Sequence, residues 1–553
     1  MDRREDLTAP ADPDTGAHGM TAVPMAVAGG RVVPPGVSAT VRDRLTGWLP
    51  RVGGIAVLLV VWQALAATVF ASYYALPTPT AIVAQAVTDW PMVWPNLLQT
   101  AREASLGWLF GNALAFALAL VFLTVRPVEK VATQVALALY CLPVIAIAPI
   151  LTAVLDGDHP QIVIAAQGVF FTTLVALMLG AKSADRSALD VVSTAGGSKW
   201  QQFLRVRLPA ALPATFGGLR IAAPAAVLGA IIGEYLGADS GLGVAMVYAQ
   251  QSLDVERTWA LALYATLLAG AAYAITAVVE RRVCYWSAGM NNAAPETKPR
   301  SMARRAAATI GTALGATAGS VALWQLAIGG LDPYFAKGPA DVWAYLTTPG
   351  DERSQLLAAL GTTVLHAGYG YLAGTVAALL VAGAVLTWPA VDAAVMPVAI
   401  ALRAVPLVAM TPLIALVFGR GVATVVVIAG IVTFFPSLVT IVTGLRSVPQ
   451  GAVDLLTAYG ASTLGVMVRA RIPYALPSVF AAARIAAPSA VMGALLAEWL
   501  ATGDGIGFLM LRASTSANYD RLWSSVVLVT TVSLIAYALA AAAENALSRN
   551  HFQ

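Results

Sequence analysis

Residues 190–243 read DVVSTAGGSKWQQFLRVRLPAALPATFGGLRIAAPAAVLGAIIGEYLGADSGLG, and residues 454–507 read DLLTAYGASTLGVMVRARIPYALPSVFAAARIAAPSAVMGALLAEWLATGDGIG. Aligned without a gap, the two stretches are identical at 23 of 54 positions. Each opens as a polar, basic segment and continues as an apolar helix. The matched positions are Asp190 and Asp454, Gly196 and Gly460, Pro209 and Pro473, Pro213 and Pro477, Arg220 and Arg484, Pro224 and Pro488, and Glu234 and Glu498.

The repetition extends outward from this stretch. Trp62-Gln63 recurs as Trp324-Gln325, Gly107 and Gly111 as Gly370 and Gly374, and Pro143 and Pro149 as Pro406 and Pro412. The offset drifts only from 262 to 264 residues, which marks a duplicated unit. The chain has 553 residues, 58% hydrophobic and 11% charged. That is too little charge to cover a soluble protein of this size, so the apolar runs read as membrane spans. They fall at about 52–71, 104–125, 131–155, 160–181, 214–236 and 258–279, and again at about 309–330, 361–387, 392–418, 422–445, 478–500 and 522–543. The expected fold is an all-α polytopic membrane protein with twelve transmembrane helices in two six-helix repeats. Residues 1–50 read as a disordered cytoplasmic tail without the apolar core of a signal peptide. Residues 51–280 form the first repeat, 281–306 a polar linker, and 307–545 the second repeat.

Charge placement sets the expected orientation. The loop at 72–99 carries no Lys or Arg and is placed outside. The segment 182–209 carries Lys182, Arg186, Lys199, Arg205 and Arg207 and is placed inside, with both termini. An even number of spans per repeat makes the halves parallel, with a pathway between them. No GxxxxGK[ST] occurs, so no phosphate-binding loop of the chain's own is indicated. Four dispersed histidines offer no metal spacing, and Cys141 and Cys284 read as unpaired.

The basic segment reads as two short helices joined at a tight turn. Asp190 and Asp454 are expected at a helix start, where a carboxylate suits the dipole. Gly196 and Gly460 permit the turn. Trp200, Phe203 and Leu204, and likewise Leu464, Met467 and Val468, make an apolar face rimmed by Arg205, Arg207, Arg469 and Arg471. Pro209 and Pro473 are expected to stop the second helix. Such a knuckle suits a groove on a cytoplasmic partner or, more simply, an anionic lipid surface.

Asp-x5-Gly-x12-Pro in both copies resembles the EAA motif of binding-protein-dependent ABC importer permeases, with the acid kept and the two alanines replaced. LPAALPATFGGLRIA, GEYLGADSGLG and LRAVPLVAMTPLIALVFG are similar to the branch serving nitrate, sulfonates, taurine, bicarbonate and thiamine precursors. The resemblance covers about 52–280 and 309–543 and implies a type I importer with two permease halves fused. It further implies two cytoplasmic ATPase subunits seated on the knuckles, holding ATP and Mg, and an external solute-binding protein. The chain itself then carries no catalytic residue, cofactor or metal, and binds no nucleic acid. The rival readings are an ion-gradient-driven secondary transporter and a non-transporting membrane scaffold.

Candidate pathway residues follow. Glu234 and Glu498 lie about 30 Å of helical rise from the start of their spans, near the outer mouth, and intramembrane carboxylates read as functional unless solvated at the interface. No chain of acids accompanies them, which argues against a proton relay. Arg403, whose mate is Tyr140, is a deep cation that would attract an anionic solute, or would only end a helix or line the cytoplasmic gate. Phe170-Phe171 and Phe434-Phe435 would stack on an aromatic solute or pack in the core, and His366 reads as a helix-packing residue. Pro143 and Pro406 free backbone carbonyls at depth, tolerated only where protein or a wet cavity satisfies them.

Overall fold

In the computed structural model of the chain the described residues are 59–68, 76–124, 126–285, 317–388 and 407–551, with a few isolated positions near 53–57, 315 and 391–399. The expected tail, most of the linker, Arg403 and Pro406 lie outside them. The first half comprises α1 (Leu59–Thr68), α2 (Pro79–Thr124), α3 (Arg126–Cys141), α4 (Val144–Val154), α5 (His159–Lys182), α6 (Arg186–Thr194), α7 (Lys199–Gln202), α8 (Leu208–Gly237), α9 (Leu242–Gln251) and α10 (Val255–Val283). The second comprises α11 (Thr317–Ile328), α12 (Pro339–Thr347), α13 (Asp351–Thr387), α14 (Leu407–Phe418), α15 (Val422–Arg446), α16 (Gln450–Ala458), α17 (Thr463–Val466), α18 (Ile472–Ala497), α19 (Gly505–Thr515) and α20 (Tyr519–His551).

Eight described helices are long and apolar enough to cross a membrane. Of the other four expected spans, the first and seventh are the shorter helices α1 and α11. The third is the broken pair α3–α4, bent by 88°. The ninth is described only in α14. Pro143 makes the break, sitting extended at φ −66° before α4. Gln167 from α5 reaches it, donating to the carbonyls of Leu142 at 3.1 Å and Leu139 at 3.4 Å. The polar groups freed by the break are thus met by protein.

The expected outer loop at 72–99 is mostly helix, because α2 runs 46 residues from Pro79. Pro91 and Pro95 remove two amides from this helix without ending it. Side-chain ties hold the extension: Arg257 donates to Asp89 at 2.8 Å, and Tyr264 donates to the carbonyl of Ala86 at 2.9 Å. In the second half the equivalent stretch does break, between α12 and α13 at Thr348-Pro349-Gly350.

Small residues set the core of each half. A Cβ on Gly107 of α2 would stand 2.4 Å from Cβ of Ala165, and one on Gly229 of α8 would stand 2.8 Å from its Cα. Ala165 of α5 is therefore gripped between two glycines. Ala429 of α15 is gripped the same way by Gly370 and Gly493, where a Cβ would stand at 2.3 and 2.6 Å. Backbones brought this close gain dispersion contacts, the main attraction available between helices in lipid.

The halves exchange one element each. After the break, α4 packs Ile145, Ala146 and Ile150 into the core of the second half, beside Ala490, Val491 and Leu495. Met410 and Leu413 of α14 pack into the core of the first half, beside Ala226, Ala230 and Leu261. The third span of each repeat thus lies at the boundary between the repeats.

Candidate functional site

Two duplicated constellations lie along α8 and α18. At one end stand the knuckles. The turn residues Gly196 and Gly460 adopt φ of +77° and +76°, the left-handed region that a side chain disfavours. Ser198 caps α7 in a reciprocal box, accepting from the Gln201 amide at 3.3 Å while its own amide donates to Gln201 Oε1 at 2.8 Å. Trp200 stacks on Phe203 with ring centroids 5.5 Å apart. Trp200 is 56% exposed, and its mate Leu464 is 68% exposed.

Three knuckle expectations are corrected. Asp190 and Asp454 are fifth residues of α6 and α16, not first. The cap of α6 is Asp185, whose carboxylate accepts from the Ser187 amide at 3.1 Å, so the chain turns into helix four residues sooner. Asp454 instead accepts from Gln450 one turn back, at 3.1 Å. Pro209 and Pro473 stop nothing. Five-residue π turns, Phe203–Arg207 and Met467–Arg471, run straight into α8 and α18. Each proline falls in the first turn after the widened turn, where a missing amide is cheapest. The span and the knuckle's second helix are consequently one rod, Lys199–Gly237 or Leu464–Thr502, each 39 residues long. Met467 is 7% exposed and belongs to the core with Leu438 and Ala475, leaving Leu464 and Val468 as the exposed face.

About 45 Å of rise along α8 from the knuckle stand the latches. Glu498 is fully buried. Its Oε2 accepts from the Gly507 amide at 3.0 Å and the Thr363 hydroxyl at 2.8 Å, and its Oε1 lies 2.9 Å from His366 Nδ1. Thr363 accepts in turn from the Ile506 amide at 2.9 Å. One carboxylate and one threonine so satisfy amides at the start of α19 and tie it to α13. The first half repeats this: Glu234 accepts from the Gly243 amide at 2.7 Å, and Thr100 from the Leu242 amide at 2.9 Å. A Cβ on Gly241 or Gly505 would stand 2.3 or 2.2 Å from the carboxyl carbon, so the loop needs glycine there. Both carboxylates are buried rather than solvated.

The sequence reading missed Glu103, Thr100 and Thr363 and took His366 for packing. The signal was present. Glu103 and His366 are 263 apart, the same offset as Gly107 and Gly370. Glu103 is 1% exposed and interacts electrostatically with Glu234, so an acid does accompany this one.

The remaining candidates divide. Tyr140 stacks on Phe171 with centroids 4.4 Å apart. Phe170 is buried among Phe122, Leu174 and Met178, while Phe434 and Phe435 meet edge-to-face at 5.0 Å against the second half's core. At the latch end a cavity of about 220 Å³ opens between the halves, lined by Gln250, Leu253 and Thr258 from one and Pro412, Arg420 and Leu500 from the other.

The family model for the binding-protein-dependent transport system inner membrane component matches residues 107–285 and again 370–549. The chain belongs to that family and carries its domain twice. A probable ABC transporter permease protein of Haemophilus influenzae is 33% identical over 210 residues, 38% of this chain and 86% of that one. The formylaminopyrimidine transport permease protein of Halalkalibacterium halodurans is 32% identical over 188 residues, 34% and 75% of the two chains. The riboflavin transport system permease protein of Chloroflexus aurantiacus is 26% identical over 235 residues, 42% and 87%. The protein is a fused permease subunit of an ABC importer, multi-pass in the inner membrane, and a transport component rather than an enzyme. In this permease each family match spans a half from the Gly107 or Gly370 crossing to the last span.

Proposed function

We propose that the permease carries a small anionic or heteroaromatic solute inward, delivered by an external binding protein and driven by two separate ATPase subunits that hold ATP and Mg. The observation that carries this is the rod. Exposed apolar side chains, Trp200 and Leu464, stand on short helices continuous with spans that reach the latches at the far end. Force applied at the knuckles then reaches the boundary between the halves without crossing a hinge. The ATPases close, draw the knuckles together and turn the cavity outward; hydrolysis returns it inward. Under this reading residues 51–280 and 307–545 are the two halves, the linker and both termini are cytoplasmic, and the latches face outside.

The solute class rests on similarity. Relatives are named for transport of formylaminopyrimidine, riboflavin and aliphatic sulfonates, which are heteroaromatic or anionic. Arg420 at the outer cavity would suit an anion. The test is copurification followed by reconstitution in liposomes. ATPase subunits should accompany the permease, and their ATP turnover should rise when loaded binding protein is added. Solute uptake driven by an ion gradient with no ATPase present would overturn the proposal.

A further inference from the structure

The halves meet at two junctions, one where α4 lies against the start of α20 and one where α14 lies against the start of α10. The first junction is filled: Ile150 of α4 and Leu522 of α20 are buried in one core, packed against Tyr519 and Trp523. At the second, Val255 stands where Tyr519 stands and Thr258 where Leu522 stands, each 264 residues earlier. These smaller side chains line the cavity of about 220 Å³ between the halves, which is about seven waters' worth of space. One junction is therefore closed by bulk and the other is left open.

The lining of the open junction is charged in one sense. Arg420 lines it, is exposed, and holds no ion pair with any described residue. None of the lining residues is acidic. The corresponding loop of the first half, Asp156-Gly157-Asp158, carries two acids and no base. Gln250 also lines the cavity, and its Oε1 accepts from the Tyr235 hydroxyl. The end of the amide not engaged with Tyr235 is its NH₂, a donor. The lip of the cavity is strained. Leu253 closes the turn after α9 at φ +55°, the left-handed region where glycine is the cheap choice. Its mate Ala517 holds the same turn at φ +53° with a single side-chain carbon. The turn therefore does not require leucine, yet Leu253 is 73% exposed at the cavity mouth. Strain of this kind persists where a side chain is wanted for something other than the fold.

We propose that this cavity is a binding site for one small organic anion: Arg420 pairs with the charged group, Gln250 donates to it, and Leu253 is the lip over its short apolar body. Leu413, Leu416 and Leu500 supply the wall for that body. The site is built at one junction and filled at the other, so the permease takes one anion, against the second half's Arg420. That the anion is the transported solute rests on the importer reading; that an anion binds does not.

Thiol labelling at the lip tests the site. The full-length permease is held in phosphatidylcholine nanodiscs, with the buried Cys141 and Cys284 changed to alanine. L253C is labelled with two methanethiosulfonate reagents, one ending in a sulfonate and one in a quaternary ammonium, and the rates are scaled to those of a free thiol. The sulfonate should be favoured at least about fivefold, the factor that one opposite charge about 4 Å away supplies even in water. R420Q should abolish this preference and R420K should keep it, while labelling of A517C should not respond to R420Q. Ethanesulfonate should slow labelling of L253C, neutral dimethyl sulfone should not, and R420Q should remove the protection. Absence of the preference at L253C, or a preference or protection that survives R420Q, overturns the proposal. ATP-driven uptake by the reconstituted importer keeps the two readings apart. Protection at L253C without any ATP-driven uptake would leave the site standing and sink the importer reading. Intact ATP-driven uptake in R420Q, with no protection at L253C, would sink the site and leave the importer standing.

Discussion

Arg220 Nη1 lies 3.0 Å from Glu280 Oε2, and the guanidinium covers the ring of Tyr273 at 5.4 Å. Arg484 repeats the arrangement with Glu544 at 3.2 Å and Tyr537 at 5.6 Å. Each clamp joins the rod that carries a knuckle to the last span of its half. Both arginines are about one-third exposed, so each pair contributes at most about 1 kcal/mol to stability. The clamp is better placed to transmit motion than to hold the fold. R220Q and R484Q should therefore insert and unfold like wild type, while solute moved per ATP hydrolysed falls at least severalfold. Unchanged coupling in the double variant would remove the clamp from the mechanism.

The His366–Glu498 pair gives the opposite expectation. Both side chains are buried, and deleting one partner leaves the other without its contact. H366A should cost about 3 kcal/mol, the scale for breaking a buried pair. The double variant H366A/E498A should cost less than the sum of the singles. A thermal double-mutant cycle checks this, with additivity as the contrary result.

Gly107 and Gly370 should not accept side chains. Valine at either would drive methyl groups into Ala165 or Ala429, an overpacking of about 1–3 kcal/mol. Gly361, on the same helix as Gly370 and with nothing within 4 Å of a built Cβ, is the internal control. Lower yield and unfolding midpoint for G370V but not G361V are expected.

Orientation has its own test. Cysteines placed at Thr88 and Ser516 should react with a membrane-impermeant reagent added outside intact cells, and cysteines at Ser198 and Thr297 should not. The reverse pattern would put the knuckles outside and separate them from any cytoplasmic ATPase.

Much of the architecture was legible because duplication is a pattern within the sequence. Two copies of the 190–243 stretch marked the two halves and the knuckles. What stayed hidden has physical reasons. Pro209 and Pro473 read as helix stops, yet a π turn shifts the hydrogen-bond pattern just ahead of them. The 72–99 stretch read as a loop, yet α2 runs through most of it and carries Pro91 and Pro95, tied by the Asp89–Arg257 pair. Met467 falls on the exposed face by spacing alone but turns inward beneath the knuckle. Glu103 went unread in the sequence. Only the three-dimensional approach of α2 to α8 brings it to Glu234, although its register with His366 was in the sequence throughout.

The central claim is that the knuckles receive the work of ATP hydrolysis, and Gly460→Trp tests it most directly. Gly460 sits at φ +76° with open space around it, so tryptophan strains the turn and blocks the knuckle face without touching the core. The measurement is ATP-dependent uptake by liposomes holding the permease, its copurified ATPases and the loaded binding protein. Normal insertion is expected, with ATP turnover and uptake both lost. Wild-type turnover and uptake in G460W would contradict it.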